Sequence, residues 1–184
     1  MKLNPLSRSF FDRNPAEVAQ GLLGKLLVRR IAGKLVVGKI IETEAYLSSG
    51  DSAAHGFKGE TIRNRSLYKE AGHAYVHAMR QYFLLDVVTE GPGTPSSVLI
   101  RAVEPVRGIE IKTDGPGKIG IAFGISRALD GVDMTDAASS LFIAENSDAP
   151  PYGVVVSPRI GISTAKDLAL RFCLAEKRVP KLRS

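Results

Sequence analysis

The feature that most limits the fold of this chain is a pair of strand-like segments joined by only two residues. Leu26–Ile31 and Lys34–Tyr46 are rich in apolar and β-branched residues, and Ala32 and Gly33 stand between them. Two such segments with a two-residue connection predict a β-hairpin, whose strands are antiparallel. We therefore expect a sheet that is antiparallel at least in this part.

One well-marked helix is predicted before this hairpin. Asn14 is a typical helix cap, Pro15 suits the first helical position, and Glu17 completes a pattern similar to a capping box. Gly24 is suited to the end of the helix. The apolar stripe between these signals consists of Ala16, Ala19, Leu22 and Leu23.

After the hairpin, turn-rich segments alternate with strand-like ones. The polar segment 47–61 is expected to be a loop, residues 64–69 a short helix and residues 117–128 a longer helix. Gly91–Pro95 predicts a turn. Six further strands are expected at residues 74–79, 82–89, 98–106, 141–145, 153–157 and 171–175.

One early helix followed by many strands favours an α+β fold, built on a curved, largely antiparallel β-sheet with flanking helices. The 184 residues, of which 44% are hydrophobic, suit a single domain spanning residues 1–184 with one sizeable core. The basic tail Lys177–Ser184 is expected to end in a mobile terminus.

Charge and cysteine content narrow the classes of function. The net charge of +6 favours a polyanionic partner, which basic side chains bind by neutralising phosphates. No apolar run approaches the roughly 20 residues of a membrane helix, and Met1–Phe11 lacks the features of a secretory signal. We therefore expect a cytoplasmic protein, associated with the nucleoid if the source is prokaryotic. The single cysteine, Cys173, excludes a disulfide within the chain and is expected to be a buried, inert thiol.

The second predicted strand of the hairpin carries a pair of acids. Because side chains alternate along a strand, Glu42, Glu44 and Tyr46 share one face. Two carboxylates at this spacing lie roughly 6–7 Å apart, and partial burial would raise the pKa of at least one. Such a group can act as a general base or acid near neutral pH. The alternative interpretation is a solvated face of the sheet.

All three histidines fall between positions 55 and 77. His73, Tyr75 and His77 alternate on one face of a predicted strand, whereas His55 lies in the loop after the acidic strand. One interpretation is a metal site completed by Asp51 or Glu44, although the spacing matches no known zinc motif. The other is a wall of flat side chains that stacks against a planar ligand such as a nucleobase, formed by Tyr46, His55 and His77. For His73, a satisfied histidine of the core is the simpler interpretation.

Basic residues mark two further candidate sites. Asn64 and Tyr68 lie within a cluster that can hold phosphates or form a solvated helix face. The basic members of the cluster are Lys58, Arg63, Arg65 and Lys69. Arg101 stands in an otherwise apolar strand and needs a partner if it is buried, for which Glu42 or Glu44 is suited. A purely structural salt bridge is the alternative.

Several segments, in order along the chain, carry a family resemblance. The main one is Ile41–Tyr46 followed by Asp51–His55, and the others are Arg63–Arg65, Val98–Pro105, Gly115–Lys118, Pro158–Ile162 and Leu170–Phe172. Together with Phe11-Asp12 and Leu22–Arg29, this set resembles the alkyladenine (3-methyladenine) DNA glycosylase family. The resemblance implies an enzyme that hydrolyses the N-glycosidic bond of alkylated or deaminated purines in double-stranded DNA. We expect this chemistry to require no cofactor and no metal, and we expect a monomer, since base flipping at one site needs no second subunit.

The resemblance assigns roles to individual residues. Glu44 matches the carboxylate that activates water, and Arg101 matches the residue that positions this water together with a backbone carbonyl near Ile160. Tyr46 and His55 match two walls of the pocket for the flipped base, and His77 falls where a third aromatic wall is usual. The residues implied or suspected to contact DNA are Arg63, Asn64, Arg65, Met79, Arg80 and Lys118.

The chemistry of the residues agrees with this resemblance. A base inside a duplex has to be extruded into a pocket before its glycosidic bond can be reached, and flat side chains hold it by stacking. A carboxylate then stabilises the oxocarbenium-like transition state and orients water. Because no lysine stands beside Glu44, we expect a monofunctional enzyme that leaves an abasic site. His55 and Tyr46 are candidates for protonating or hydrogen bonding the leaving purine.

Two departures from the family pattern bear on selectivity. The usual Tyr-Gly-Met stretch, whose tyrosine fills the gap left by the flipped base, is replaced by Ala78–Phe83, so Met79, Arg80 or another residue is left to fill that gap. Asp86 stands where asparagine usually lines the pocket floor, and an aspartate cannot donate a hydrogen bond unless it is protonated. Two other functions therefore stay open: a non-catalytic nucleic-acid-binding protein of the same architecture, and a metal hydrolase that uses Glu44, Asp51 and the histidines.

Overall fold

A computed structural model describes residues 3–147 and 153–175, and the predicted mobile tail lies outside these residues. The described part contains three α-helices and eight strands. The helices are α1 (Arg8–Phe11), α2 (Pro15–Leu22) and α3 (Pro116–Ala122). The strands are β1 (Leu26–Ile31), β2 (Lys34–Tyr46), β3 (Ala74–Met79), β4 (Tyr82–Thr89), β5 (Ser96–Arg107), β6 (Leu141–Ala144), β7 (Val154–Ser157) and β8 (Arg171–Leu174).

The predicted hairpin is confirmed with its predicted bounds. β1 and β2 pair antiparallel, with Leu26 opposite Lys39 and Ile31 opposite Lys34. Both turn residues have positive φ, 46° at Ala32 and 76° at Gly33. This is the backbone of a two-residue turn whose twist matches the twist of the flanking strands.

Every strand pair is antiparallel, and the sheet follows the order β3-β4-β5-β2-β1-β6. β8 pairs with the end of β2 and with β7. The sheet curls into a half-barrel, so the predicted α+β class with a curved, largely antiparallel sheet is confirmed.

The long pairing of β2 with β5 is irregular at its centre. The register steps over Ile41 on β2 and over Arg101 on β5, because Ile40 faces Val103, Glu42 faces Ala102 and Thr43 faces Ile100. Extra residues of this kind are β-bulges, which bend a strand and redirect a side chain. The bulges therefore lie at the position where the acidic residues of β2 and the arginine of β5 meet.

Helix α2 covers one face of β2 and fixes which side chains point to the core. The Asn14 side chain accepts a hydrogen bond from the Ala16 N–H at 2.9 Å, which confirms it as the cap. Ala19 is fully buried, and its carbonyl accepts a hydrogen bond from the Thr43 hydroxyl at 2.8 Å. Since Thr43 points to the helix, its neighbours Glu42 and Glu44 point to the opposite face of the sheet.

Several boundaries differ from the predictions. The helix expected over residues 117–128 ends at Ala122, because Gly124 adopts a φ of +56°, and a separate 3₁₀ turn follows at Arg127–Leu129. The short helix expected at 64–69 is a 3₁₀ turn over Arg65–Tyr68, and α1 was not predicted. Strand β5 is longer than expected at both ends, whereas β6 and β8 end one residue earlier and β7 begins one residue later than expected.

The apolar side chains of α2, β1, β2, β5 and β6 form one main buried cluster, which supports the proposal of a single domain. Cys173 is buried as expected, and burial raises the pKa of its thiol to about 11. Over the described part of the chain, none of the helices combines the length and the apolar character needed to span a bilayer.

Candidate active site

A cavity of about 980 Å³ opens on the face of β2–β5 that points away from α2. Its lining comes from six parts of the chain: the end of β2, the loop after β2, the β3–β4 hairpin, β5, the segment at the start of α3, and the segment after β7. The polar and aromatic members are Tyr46, Ser52, His55, Tyr75, His77, Arg80, Tyr82, Asp86, Ser97, Arg101, Asp114, Lys118, Ser163 and Thr164. Its size falls within the range of ordinary small-molecule sites, roughly 300–1,000 Å³.

A buried cluster of charged side chains lies directly behind the wall of this cavity, and Arg101 is the member of the cluster that lines it. Glu42 and Glu44 are 2% and 0% exposed and share one face of β2, as predicted. Arg101 connects them, because its Nε donates to Glu42 at 2.8 Å and an Nη donates to Glu44 at 3.2 Å. Arg171 donates to the same oxygen of Glu42 at 2.7 Å. The prediction that Arg101 pairs with one of the two glutamates is confirmed, and it pairs with both.

Glu44 accepts two further hydrogen bonds. The backbone N–H of Ile160 donates to Oε1 at 2.8 Å, and the Tyr46 hydroxyl donates to Oε2 at 3.0 Å. The contact observed at Ile160 is thus a hydrogen bond from its backbone N–H to Glu44. A role for a backbone carbonyl near Ile160 in positioning water stays a prediction. With Arg101, three donors occupy three of the approximately four lone-pair positions of the carboxylate, and one position on Oε1 stays open.

Burial raises the pKa of Glu44, and the neighbouring charge of Glu42 adds to the rise, while Arg101, Ile160 and Tyr46 oppose it. Glu44 itself does not line the cavity, but all three of its donors do. The result is a carboxylate in fixed orientation, directly behind the cavity wall, that takes up a proton more readily than an exposed glutamate.

Four flat side chains form one side of the cavity. His55 and His77 meet edge to face with ring centroids 4.5 Å apart, and Tyr75 stacks on His77 at 5.3 Å. The Tyr75 hydroxyl and His55 Nδ1 are hydrogen bonded at 2.8 Å. Tyr46 completes the lining. The structure therefore brings together the three predicted wall residues and adds Tyr75, which the alternation with His77 in β3 already placed on their face.

The protonation states of these walls follow from burial. Burial lowers the pKa of His55, and the nearby His77 lowers it further while Asp86 opposes this. Burial and Glu44 raise the pKa of Tyr46. At neutral pH His55 is therefore a neutral imidazole, and Tyr46 is a neutral phenol that donates a hydrogen bond to Glu44.

A second buried ion pair, which the sequence did not predict, supports Tyr46. Arg159 makes a bidentate contact with Asp51 at 2.6 and 2.7 Å, both side chains being fully buried. Its guanidinium lies 4.6 Å from the centroid of the Tyr46 ring. Burial raises the pKa of Asp51, but the contacts with Arg159 and with the Leu47 and Ala53 N–H groups outweigh it and lower the pKa overall.

Asp86 lines the cavity and is 4% exposed. The Ser97 hydroxyl donates to its Oδ2 at 2.8 Å, and His77 Nε2 lies 3.3 Å from its Oδ1. The position that the sequence assigned to the pocket floor is thus part of the cavity lining.

The predicted DNA contacts lie around this cavity in different settings. Met79 and Arg80 form the exposed tip of the β3–β4 hairpin and line the cavity, with Met79 50% exposed and Arg80 at a φ of +54°. Lys118 also lines the cavity and pairs with Asp114 at 2.6 Å. Arg63 and Arg65 are exposed.

Asn64 has a different environment from its basic neighbours. It is 6% exposed, accepts a hydrogen bond from the Thr61 N–H at 2.6 Å, and donates to the carbonyls of His55 and Gly59 at 2.9 and 3.1 Å. These contacts hold the loop that presents His55, so Asn64 has a structural role, and its direct contact with DNA stays a prediction.

The residues suggested for a metal site do not converge. Within residues 3–147 and 153–175, no three side chains of His, Cys, Asp or Glu come together as a ligand set. The carboxylate of Asp51 is engaged by Arg159, and His73 lies just before β3, where its Nδ1 is 2.9 Å from the Glu70 carbonyl. His73 is thus a satisfied histidine rather than a member of the cavity wall.

Comparisons with known proteins bear on the whole chain. The family model described as Methylpurine-DNA glycosylase (MPG) matches residues 9–178. A protein of Methanocella arvoryzae named "Putative 3-methyladenine DNA glycosylase" is 42% identical over 181 residues, which cover 90% of this chain and 88% of the relative. A protein of the same name from Legionella pneumophila (strain Corby) is 38% identical, over 95% of this chain and 96% of the relative.

Proposed function

Because the chain belongs to the methylpurine-DNA glycosylase family, we propose that it flips a damaged purine out of duplex DNA and hydrolyses its N-glycosidic bond. Membership in this family makes the chain a monofunctional DNA glycosylase, a hydrolase whose substrate is DNA. The proposal adds the class of lesion, alkylated or deaminated purines, and the residues that carry the reaction. The observation that supports it most is Glu44, a buried carboxylate with one open lone-pair position beside a cavity of flat side chains.

The shape of the site suits an extruded base. A purine stacked in a duplex presents only its edges, whereas a cavity of about 980 Å³ lined by Tyr46, His55, Tyr75 and His77 accepts the whole ring. Stacking on aromatic side chains contributes roughly 1–3 kcal/mol per base. We propose that this stacking offsets part of the cost of unpairing the base, which is smallest for a damaged or mismatched base.

Glu44 acts as the general base in this mechanism. Water enters through the cavity and occupies the open position on Oε1, next to the Ile160 N–H donor. As the bond between the sugar C1′ and the purine nitrogen breaks, its electron pair leaves with the base and C1′ acquires positive charge. The water oxygen attacks C1′ and its proton passes to Glu44. The raised pKa of Glu44 makes it a stronger acceptor for that proton.

Arg101 has two tasks in this proposal. Its contacts with Glu42 and Glu44 hold both carboxylates in position, and its charge opposes the rise that burial causes in the pKa of Glu44. The anionic Glu44 then stabilises the oxocarbenium-like transition state electrostatically before it accepts the proton. The bidentate Arg159–Asp51 pair behind Tyr46 keeps the phenol in position to donate to Glu44.

The surroundings of the cavity supply the contacts to DNA. Met79 and Arg80, at an exposed hairpin tip beside the cavity, are suited to fill the gap that a flipped nucleotide leaves. The exposed Arg63 and Arg65 and the half-exposed Lys118 are suited to neutralise phosphates. One flipped nucleotide occupies one cavity, so the proposed active form is a monomer.

The test is base release from duplex oligonucleotides with a single lesion. Duplexes with N7-methylguanine, hypoxanthine or 1,N6-ethenoadenine are incubated with excess protein, and released base and abasic sites are both quantified. Release of free base from at least one duplex, with strand cleavage only after alkali, is the expected result. Tight binding to all duplexes without release from any would favour a non-catalytic nucleic-acid-binding protein instead.

A further inference from the structure

Asp86 differs from the other acids around the cavity in how its charge is compensated. Three buried carboxylates of the site are each held by at least one arginine. These carboxylates are Glu42, Glu44 and Asp51, and the arginines are Arg101, Arg171 and Arg159. These three carboxylates and three guanidinium groups together carry no net charge. Within the described part of the chain, Asp86 contacts no arginine or lysine and adds one negative charge to the cavity.

No arginine or lysine of the described residues is among the partners that hold the Asp86 carboxylate. Ser97 donates a neutral hydrogen bond to Oδ2 at 2.8 Å. His77 Nε2 lies 3.3 Å from Oδ1 and is the one basic side chain of the described residues in contact with this carboxylate. The rings packed around His77 are the buried His55, whose pKa is lowered by burial, and Tyr75, whose pKa is raised by burial. The carboxylate is therefore held at the cavity by a hydroxyl and an imidazole, without the guanidinium that each of the other three carboxylates has.

We propose that Asp86 makes this pocket selective for purines that carry a positive charge from alkylation of a ring nitrogen, over neutral damaged purines. This inference rests on the proposed function and specifies its substrate class. A charge interaction of this kind is strong in a largely desolvated cavity and weak in water. A cationic base therefore gains more from entering the pocket than a neutral base of similar size.

The direction of the effect is the same for binding and for bond cleavage. In an alkylated purine nucleotide the base is cationic, and it leaves as a neutral molecule once it takes the electron pair of the glycosidic bond. In the transition state it still carries part of its positive charge, which Asp86 stabilises. A neutral purine that takes the same electron pair becomes negative unless it is protonated, and Asp86 opposes that change. Both effects raise kcat/KM for cationic lesions relative to neutral ones.

The geometry also explains why this selectivity does not disturb the water chemistry. In the proposed mechanism Glu44 acts on the water that attacks the sugar, whereas Asp86 is held by Ser97 and His77 on the adjacent strands β5 and β3 and makes no hydrogen bond with Glu44. Asp86 is thus placed to sense the base, and Glu44 to act on the sugar. Replacement of Asp86 by its neutral isostere is expected to change the preference among lesions more than it changes the reaction itself.

The experiment compares wild type with Asp86→Asn at neutral pH, where N7-methylguanine paired with cytosine keeps its N1 proton and its positive charge. Single-turnover rate constants are measured on duplexes with N7-methylguanine and with hypoxanthine. Their dependence on subsaturating protein concentration gives kcat/KM for each lesion. The ratio of the two values is expected to fall by about 10-fold or more in Asp86→Asn, as removal of one unscreened charge implies. A ratio within about twofold of wild type would overturn the proposal. Release of neither base by wild type would instead overturn the proposed function.

A matched variant separates charge from structure. Ser97→Ala removes one hydrogen bond to Asp86 but keeps the carboxylate, so its ratio is expected to stay within about threefold of wild type even if both rates fall. A fall in ratio equal to that of Asp86→Asn would mean that cavity geometry, and not charge, sets the preference.

A second measurement needs no variant and no turnover. Calorimetry on wild type compares 3,9-dimethyladenine, a permanent cation whose 9-methyl group stands for the sugar, with neutral 9-methylhypoxanthine. The cation is expected to bind about 10-fold more tightly. Equal affinity, or tighter binding of the neutral base, would contradict the role of Asp86 even if Asp86→Asn does not fold.

Discussion

The environment of Glu44 changes the pKa of its carboxyl group in two opposite directions. Burial raises its pKa, whereas Arg101, the Ile160 N–H and the Tyr46 hydroxyl lower it. A general base has to be ionised before reaction and basic enough to take a proton during it; the three donors favour the ionised form, and burial makes the carboxylate more basic. Of the three donors, the Tyr46 hydroxyl is the easiest to remove without changing the charge or the main chain.

Tyr46→Phe is expected to lower the rate of base release by about 10-fold, since a hydrogen bond to a charged group contributes about 1.5–3 kcal/mol. The ring and its stacking are kept. Because the lost donor favoured the ionised carboxylate, the pKa of Glu44 rises further. The acid side of the pH–rate profile then moves to higher pH, which single-turnover rates across a pH series will measure.

Tyr75→Phe is the matched control for this prediction. It removes a hydroxyl that hydrogen bonds to His55 and not to Glu44, so the acid side of its profile is expected to remain at the wild-type position. An equal shift in both variants, or none in Tyr46→Phe, would show that the phenol of Tyr46 does not set the ionisation of Glu44.

At the scale of elements, the β3–β4 hairpin brings two very different side chains to the edge of the cavity. Met79 is apolar and half exposed, and Arg80 occupies the turn with a positive φ that is uncommon for residues other than glycine. A tip of this kind has little to contribute to the core. Its residues are therefore free to serve contact with DNA.

Met79→Ala and Arg80→Ala separate the two candidates for filling the DNA gap. The variant that loses the filling side chain is expected to release base about 10-fold more slowly, while the free energy of unfolding changes by no more than about 0.5 kcal/mol. Gln81→Ala, at the neighbouring exposed position, is the control and should match wild type in both measurements. Wild-type release by both test variants would rule out the hairpin tip as the element that fills the gap.

The buried ion pair between Arg159 and Asp51 connects the segment after β7 to the loop after β2. Arg159→Met is expected to lower the free energy of unfolding by about 3–5 kcal/mol, because it leaves the buried Asp51 carboxylate without its partner. Chemical denaturation at neutral pH measures this. A loss below about 1 kcal/mol would contradict the assignment of the pair as a structural tie.

The same pair has a defined dependence on pH. Since the folded protein lowers the pKa of Asp51, the pair stabilises the fold above the unfolded pKa of this residue. This contribution is lost as the pH falls through the lower, folded pKa. Wild type should therefore lose more stability on acidification than Arg159→Met does.

At the scale of the whole molecule, the cavity depends on segments that are distant in sequence. Local patterns predicted the hairpin with its bounds, the cap of α2 and the shared face of Glu42 and Glu44, because these depend on neighbours along the chain. The early end of α3 was missed, since the left-handed conformation of Gly124 that ends it is only one of several a glycine adopts.

The site was predicted where residue type and strand alternation sufficed, and missed where only the fold brings residues together. Family resemblance and alternation together pointed to Tyr46, His55 and His77 as neighbours. The Arg159–Asp51 pair joins residues 108 positions apart, and no periodic pattern links such residues. The bulges that align Arg101 with two glutamates likewise depend on the pairing of β2 with β5, which the sequence of either strand does not reveal.

The central claim is that Glu44 is the base that activates water, and the most direct measurement is single-turnover base release by Glu44→Gln beside wild type. The lesion-containing duplex is bound first, so that affinity and release are measured on the same complexes. We expect duplex affinity within about threefold of wild type and release slower by at least about 10³-fold, since the amide is isosteric but cannot accept the proton. Release by Glu44→Gln at a rate near that of wild type, with equal binding, would contradict the claim and direct attention to another group in the cavity.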